Sequence, residues 1–384
     1  MKPLLIFPIG GIGRRFTEKG INIPKQLLKV DGDISCVKKT ILSIVNIQDF
    51  NVAIYVSQPD VAIHIREVME GIGVQFLIIE GENTTSPVKT LLKILLEVHQ
   101  FTSPDVNIFV HTLDIDTPDN FIIDLDYPVS TYIFKANSLN YSYVDVKDGY
   151  VTELINSGII KEYANAGIYG FGNMEIVKNY CKLLISRHEG ETAETPLIDL
   201  YSFVLDKKIP IKALLVETIY IFGTPSEYSF CKNFIYPKKN IKNIYIVNDH
   251  SGMILKNKFK DALNNSRFII NDMGSDNILT NSDYSDYVNL VSTASNLESS
   301  YIFAFCSTGQ GVNVALNKVP GIISALIYDK YSLKQAIEHT CANAFCFPEN
   351  VWINKNLDFV VDYLEKFYFM GGRHQNRLLK VVNS

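Results

Sequence analysis

The chain alternates short, wholly apolar runs with longer stretches in which apolar residues recur every three or four positions. Runs of the first kind, bounded by turn formers, mark strands buried on both faces, and the second spacing marks helices with one face on a core. Lys2-Pro-Leu-Leu-Ile-Phe-Pro-Ile9 reads as such a strand, followed by the loop Gly10-Gly-Ile-Gly-Arg-Arg-Phe16. Tyr55–Pro59 reads as a strand and turn, Asp60–Glu70 and Pro87–His99 as helices, and Asn107–Asp114 as a strand ending in carboxylates. Further on, Ile244–His250, Phe268–Met273, Tyr301–Cys306, Gly321–Tyr328 and Ala344–Phe347 repeat the strand pattern, with Ile254–Leu263 as an intervening helix. Strands alternating with helices predict an α/β protein with parallel pairing and functional groups at the strand C-termini.

A chain of 384 residues exceeds what one core usually organises, so two domains are expected. Pro237 and the basic run around it place the boundary between residues 230 and 240, giving domains 1–232 and 241–384. With 36 basic and 41 acidic residues the formal charge is −5, and no basic cluster suggests a nucleic-acid surface. Pro8, Gly10 and Gly11 interrupt the apolar opening, which reads as a strand and not as a signal peptide, and no run is long enough to span a membrane. Six scattered cysteines without metal-ligand spacing fit free thiols in a reducing cytoplasm.

Several positions carry chemistry. Tyr301-Ile-Phe-Ala-Phe-Cys306 ends on a thiol, and the glycine-rich turn Ser307-Thr-Gly-Gln-Gly311 follows. Backbone amides gathered in such a turn can hold an anion, and a thiol beside it can move a proton to or from a carbon. The same pattern fits a structural cysteine ahead of an ordinary turn. In the first half, glycines at 10, 11 and 13 let the backbone approach a triphosphate, with Arg15 and Lys25 as cations. The loop is neither a Walker A nor a dinucleotide fingerprint. Asp114 and Asp116 offer hard oxygen ligands suited to Mg²⁺, or form part of a solvated acidic loop that includes Asp119. Arg373 and Arg377, four residues apart, share a helical face and form either a phosphate fork or an exposed basic stretch.

With Gly10–Phe16 and Pro24-Lys25-Gln-Leu in order, followed by Ser142–Gly149, Val151-Thr-Glu153, Ala164-Asn-Ala-Gly-Ile-Tyr169 and Phe222-Gly-Thr-Pro225, residues 1 to about 230 resemble the sugar-1-phosphate nucleotidyltransferases. The resemblance implies an open mixed sheet, Rossmann-like and glycosyltransferase-A-like. In it Gly10, Gly11, Gly13, Arg15 and Lys25 bind the nucleoside triphosphate, Asn165 and Gly167 face a phosphorylated sugar or polyol, and Asp114 and Asp116 hold Mg²⁺. The loop Gly81–Pro87 falls where that family reads the base. The chain departs from the pattern in three places. Gln26 replaces a proline, Ile221-Phe222 stand where an aspartate precedes the Gly-Thr turn, and the lysine expected after Glu153 is absent from Asn156-Ser-Gly158.

The second half resembles the type B ribose-5-phosphate isomerases and their galactose-6-phosphate relatives. Asp249-His250, Ser282–Tyr287, Cys306-x-Thr-Gly-x-Gly311, Asn317–Gly321, Glu338-His339 and Gly371–Arg377 occur in that family's order. The resemblance implies a parallel-sheet, Rossmann-like α/β/α domain needing no cofactor. By that resemblance Cys306 would shuttle the C2 proton, Thr308 would serve the oxygens, and the turn with Ser307, Gly309 and Gly311 would hold the enediolate. His339 would open the furanose ring with help from Asp249, while His250, Tyr284, Arg373, His374 and Arg377 would bind the sugar phosphate. It also implies a homodimer or higher homo-oligomer through this half, since that family builds its site across two subunits. Ser307, Thr340 and Asn350 stand where the family has glycine, asparagine and arginine.

Together the halves predict a bifunctional enzyme of nucleotide-sugar metabolism, with polysaccharide precursor synthesis as its setting. The alternative is a nucleotidyltransferase whose second half only binds a sugar phosphate or dimerises.

Overall fold

Strand β1 (Leu4–Ile9) has a parallel neighbour on each side, β2 (Asn51–Val56) and β4 (Asn107–His111), which is why its apolar run is unbroken. The computed structural model describes the whole chain except residues 119–120, 156–157, 189–194, 264–265, 280 and 383–384, and the side chains of 239–240. Asp119, Asn156 and Ser157 therefore lie outside the described residues. The chain divides into two units, Met1–Ser229 with Gln375–Ser384, and Phe230–His374.

In the first unit the remaining strands of the main sheet are β3 (Phe76–Glu80), β5 (Val129–Lys135), β6 (Tyr143–Lys147), β7 (Tyr150–Ile155), β8 (Tyr163–Asn173) and β9 (Lys212–Leu215). The nine-stranded order is β3-β2-β1-β4-β8-β5-β9-β7-β6. Pairing is parallel from β3 to β4, and β8 runs antiparallel to both β4 and β5, so the sheet is mixed. Alternation sorts side chains to opposite faces. Leu5, Phe7, Val52 and Ile54 pack with helices Cys36–Ser43 and Pro59–Ile72, whereas Leu4, Ile6, Ala53 and Tyr55 pack with helices Pro87–Glu97 and Met174–Arg187.

The second unit holds β10 (Asn243–Asn248), β11 (Ile269–Asp272), β12 (Ser300–Cys306), β13 (Ser324–Leu326) and β14 (Ala344–Pro348), ordered β11-β10-β12-β14-β13 and parallel throughout. Phe303, Phe305, Phe345 and Phe347 meet helices Met253–Leu263 and Lys330–Thr340 on one face. Ile302, Ala304, Cys306 and Cys346 meet helices Tyr284–Ser292 and Gln310–Leu316 on the other. The three-layer arrangement expected of the second half is present there, and helices also cover both faces of the first unit's open mixed sheet.

The stretch expected to break the chain between 230 and 240 is helical. Pro225–Phe230 continues as a π-helical turn, Cys231–Ile235, and a 3-10 turn, Tyr236–Asn240. Phe230, Cys231, Ile235 and Tyr236 are buried, so apolar spacing outweighs Pro237, which sits in the first turn of its element where a missing N–H costs nothing.

Candidate active sites

In the second unit, β10 and β12 lie side by side, and their C-terminal tips bring Asp249 against Cys306. The Cys306 thiol donates to Asp249 Oδ2 at 3.1 Å. The other carboxylate oxygen accepts from Ser251 N at 2.9 Å, Ser251 Oγ at 2.6 Å and Gly252 N at 3.2 Å, capping the turn His250–Gly252. Only glycine fits at 252, since a Cβ would lie 2.1 Å from the carbonyl oxygen of Phe305. Burial, and then the Asp249 carboxylate, push the Cys306 thiol above its usual value, while the Gly309 amide and the Ser251 hydroxyl pull it partly back. The thiol hydrogen is thus directed at a carboxylate oxygen.

The turn after Cys306 differs from the expected ring of open amides. Ser307 N donates to Ser251 Oγ at 2.9 Å, and Gln310 N lies 3.4 Å from Thr308 Oγ1. Gly309 adopts φ +70°, and its missing Cβ leaves room for Leu326 and Pro348. The Tyr284 ring packs where a Cβ on Gly311 would be, 2.5 Å from its Cζ. His250 sits on the same edge of the sheet, its backbone N donating to Ser282 Oγ at 3.0 Å. Asn350 N donates to the Ser307 carbonyl at 3.3 Å, and the Thr340 hydroxyl is turned onto the Ala336 carbonyl at 2.7 Å.

His339 lies elsewhere. Cys306 is level with Pro348, and Ile302 with Ala344, in the β12–β14 register. The helix Lys330–Thr340 runs back against the strands, so His339 near its end lies by the N-terminal edge of the sheet. Four strand residues rise about 13 Å, which separates His339 from Cys306 within one chain. His339 stacks on His374 with ring centroids 4.0 Å apart, and Arg373 Nε is 3.4 Å from His374 Nε2. Arg377 is exposed and falls in the segment grouped with the first unit.

The first unit has a cavity of about 150 Å³ whose walls include Arg15, Asp114, Tyr141, Asn165, Gly167 and Glu227. Arg15 comes from the loop after β1, where Gly13 at φ +69° turns the chain and a Cβ at Gly11 or Gly13 would meet open space. Gly10 is closed in, its carbonyl accepting Thr84 N at 2.8 Å and its Cα facing the Thr84 and Thr90 hydroxyls. The loop expected to read the base thus packs on the loop expected to hold the phosphates. Lys25 forms an ion pair with Asp114 Oδ1. Asn165 Oδ1 accepts Gly167 N at 2.6 Å across a bulge in β8, and Gly167 at φ +78° places its Cα against Thr112.

The two expected metal ligands part company. Asp114 reaches the cavity, whereas Asp116 is 1% exposed in the short ladder of Ile115–Asp116 with Tyr220–Ile221 and does not line it. Asp114 lies in the connection between the strands Asn107–His111 and Ile115–Asp116, while Asp116 is inside the ladder. Among the described residues no cluster of three or more His, Cys, Asp or Glu is placed to hold a metal. Mg²⁺ commonly takes one or two carboxylates plus substrate phosphates, and Asp114 fits that demand. A second carboxylate escaped the sequence reading. Glu227 Oε2 and Asp114 Oδ2 each lie 3.6 Å from where a Cβ on Gly223 would be. Glu227 is 3% exposed, accepts Thr224 N at 2.8 Å and Tyr141 Oη at 2.7 Å, and its own N donates to Thr224 Oγ1. Thr224-Pro-Ser-Glu227 is a capping-box spacing, the signal that marked it.

No helix of the described residues is long and apolar enough to cross a membrane. A solved nucleoside-diphosphate-sugar pyrophosphorylase from Vibrio cholerae is 22% identical, covering 59% of this chain and 98% of its own at a TM-score of 0.54, so the first unit has a nucleotidyltransferase-like fold. Residues 244–381 match the family model described as Ribose/Galactose Isomerase. A Mycoplasma genitalium protein named "Probable ribose-5-phosphate isomerase B" is 35% identical over 143 residues, 36% of this chain and 93% of that protein. A Mycoplasma pneumoniae protein of the same name is 32% identical over 140 residues, 36% and 92% of the two chains. With a relative this similar spanned almost end to end, the chain belongs, through residues 244–381, to the ribose/galactose isomerase family.

Proposed function

We propose that the chain is a bifunctional enzyme: the first unit transfers a nucleotidyl group from a nucleoside triphosphate to a phosphorylated sugar or polyol, and the second interconverts an aldose and a ketose phosphate. The observation that carries the reading is the Cys306 thiol 3.1 Å from Asp249 at the tips of adjacent parallel strands, in a unit of isomerase-family sequence. Asp249 takes the thiol proton, the thiolate removes the C2 proton to form the cis-enediolate, a proton passes from the C2 oxygen to the C1 oxygen, and the thiol so formed returns its proton to C1. His339 opens the ring and, with His374 and Arg373, comes from a second copy of the chain, because one chain keeps these groups at the other edge of its sheet. A homodimer is therefore the active form.

In the first unit a phosphate oxygen of the acceptor attacks the α-phosphorus and pyrophosphate leaves. Arg15 and Lys25 neutralise the triphosphate, and Asn165 and the Gly167 backbone position the acceptor. Asp114 would hold Mg²⁺, which supplies further charge neutralisation when bound. Free buried thiols fit a reducing, cytoplasmic setting.

A second reading, in which the isomerase-family unit only binds a sugar phosphate or dimerises, is favoured by one observation: Ser251 occupies the Ser307 amide. Incubating the protein with the four common nucleoside triphosphates and a panel of pentose, hexose and polyol phosphates, then identifying products by mass, tests both activities. Aldose–ketose turnover that Cys306→Ala abolishes eliminates the second reading. A full panel without pyrophosphate release ends the first activity.

A further inference from the structure

We infer that Gln375 and Asn376 are positioning residues of the first unit's cavity, holding a wall of Ile221, Tyr141 and Glu227 that reads hydroxyl groups of the phosphorylated acceptor. The identity of the acceptor rests on the nucleotidyl-transfer reading; the placement of the two residues does not. Both residues lie within the isomerase-family match, yet they group with the first unit.

Gln375 is fully buried and treats Ile221 as a strand neighbour would. Its Oε1 accepts Ile221 N at 3.0 Å, and its Nε2 donates to the Ile221 carbonyl at 2.6 Å. Ile221 already pairs through its other edge with Ile115, next to Asp114, so the side-chain amide of Gln375 stands in for a third strand in that ladder. Ile221 lines the cavity, and Gly223, Thr224 and Glu227 follow it there. Losing Gln375 would remove two hydrogen bonds from the buried backbone of Ile221.

Asn376 acts on the same wall through Tyr141. The Tyr141 hydroxyl lies 2.7 Å from Glu227 Oε1 and 3.1 Å from the Asn376 side-chain amide. A phenol has one proton, and the carboxylate is the stronger acceptor. Once that proton goes to Glu227, the phenol oxygen can only accept from Asn376. An amide oriented to present Nδ2 meets this need and gives a partner to a buried donor that otherwise has none. Asn376, Tyr141 and Glu227 then form one directed chain of hydrogen bonds ending on a carboxylate in the cavity wall. Like charge repels a phosphate from Glu227, whose remaining lone pairs suit hydroxyls.

The test uses the full-length protein and the variants Asn376→Leu and Gln375→Met. With the acceptor that the wild type uses best, either variant should raise the acceptor KM about tenfold, the loss of one to two hydrogen bonds, and leave the nucleoside triphosphate KM within about twofold. In Gln375→Met the Ile221 amide should exchange with deuterium at least about tenfold faster. Equal changes in both KM values, or no change in either, overturn the hydroxyl-reading role; unaltered exchange at Ile221 overturns the clamp. A wild type inactive on every acceptor defeats the nucleotidyl-transfer reading and with it the hydroxyl role, and the exchange measurement still decides the clamp.

Discussion

Gly167→Ala tests how the first unit shapes its cavity. Two costs are separable. At φ +78° an alanine occupies the left-handed region, worth about 1–2 kcal/mol. Its Cβ would also lie 2.2 Å from Thr112 Oγ1, and relieving such overpacking costs about 1–3 kcal/mol. The single variant should therefore lose about 2–5 kcal/mol. Removing the hydroxyl with Thr112→Ala leaves Cβ as the nearest Thr112 atom, at 3.5 Å, an ordinary contact, so in that background only the backbone cost remains. A double-mutant cycle should give a coupling of about 1–3 kcal/mol. Urea unfolding followed by far-ultraviolet circular dichroism measures the cycle. Fluorescence of Trp352, the one tryptophan of the chain and a residue of the second unit, should keep its midpoint. Coupling below about 0.5 kcal/mol would refute the steric part, and a costless Gly167→Ala in the Thr112→Ala background would refute the backbone part.

Three further outcomes are expected. Because burial and the Asp249 carboxylate both raise the Cys306 thiol, alkylation of Cys306 by iodoacetamide, read by peptide mapping, should be slow at neutral pH and accelerate in alkali; Asp249→Asn should move that rise to lower pH, and an unmoved midpoint would contradict the pairing. His111 is fully buried and burial lowers its pKa to about 3, so between the unfolded value of about 6.5 and that limit only the unfolded chain gains the proton. Stability is then full above the unfolded value and falls as pH drops, by about 2 kcal/mol at pH 5; His111→Asn, which can keep an acceptor for Leu113 N, should flatten the dependence in urea titrations. Gly252→Ala drives a Cβ into the Phe305 carbonyl one residue before Cys306, and a displacement of about 1 Å there should cut isomerisation about a hundredfold, so wild-type turnover would sink the placement.

The strands of the second unit, and Leu4–Ile9 and Asn107–His111 of the first, were legible because buried parallel strands are continuous apolar runs, whereas Phe76–Glu80, Val129–Lys135, Lys212–Leu215 and most helices were not read. The glycine loop with Arg15 and the Cys306 turn were legible for the same reason, since each follows directly from the end of such a run. What escaped depends on pairings far apart in the chain. Glu227 faces Asp114 only because the Tyr220–Ile221 strand folds back onto Ile115–Asp116, and nothing local shows that Ser251 spends its hydroxyl on Ser307. Asp114 and Asp116 looked like one pair because i, i+2 alternation assumes one continuous extended run, whereas Asp114 sits in the connection before the strand and only Asp116 is in it.

Gln375 emerges from the ribosome only after Phe230–His374 has been synthesised. At typical rates of elongation, the nascent first unit waits on the order of ten seconds before Gln375 can reach Ile221. During that interval the clamp beside its cavity is missing, and a holding chaperone or a neighbouring nascent copy can add a strand there before the proper amide arrives.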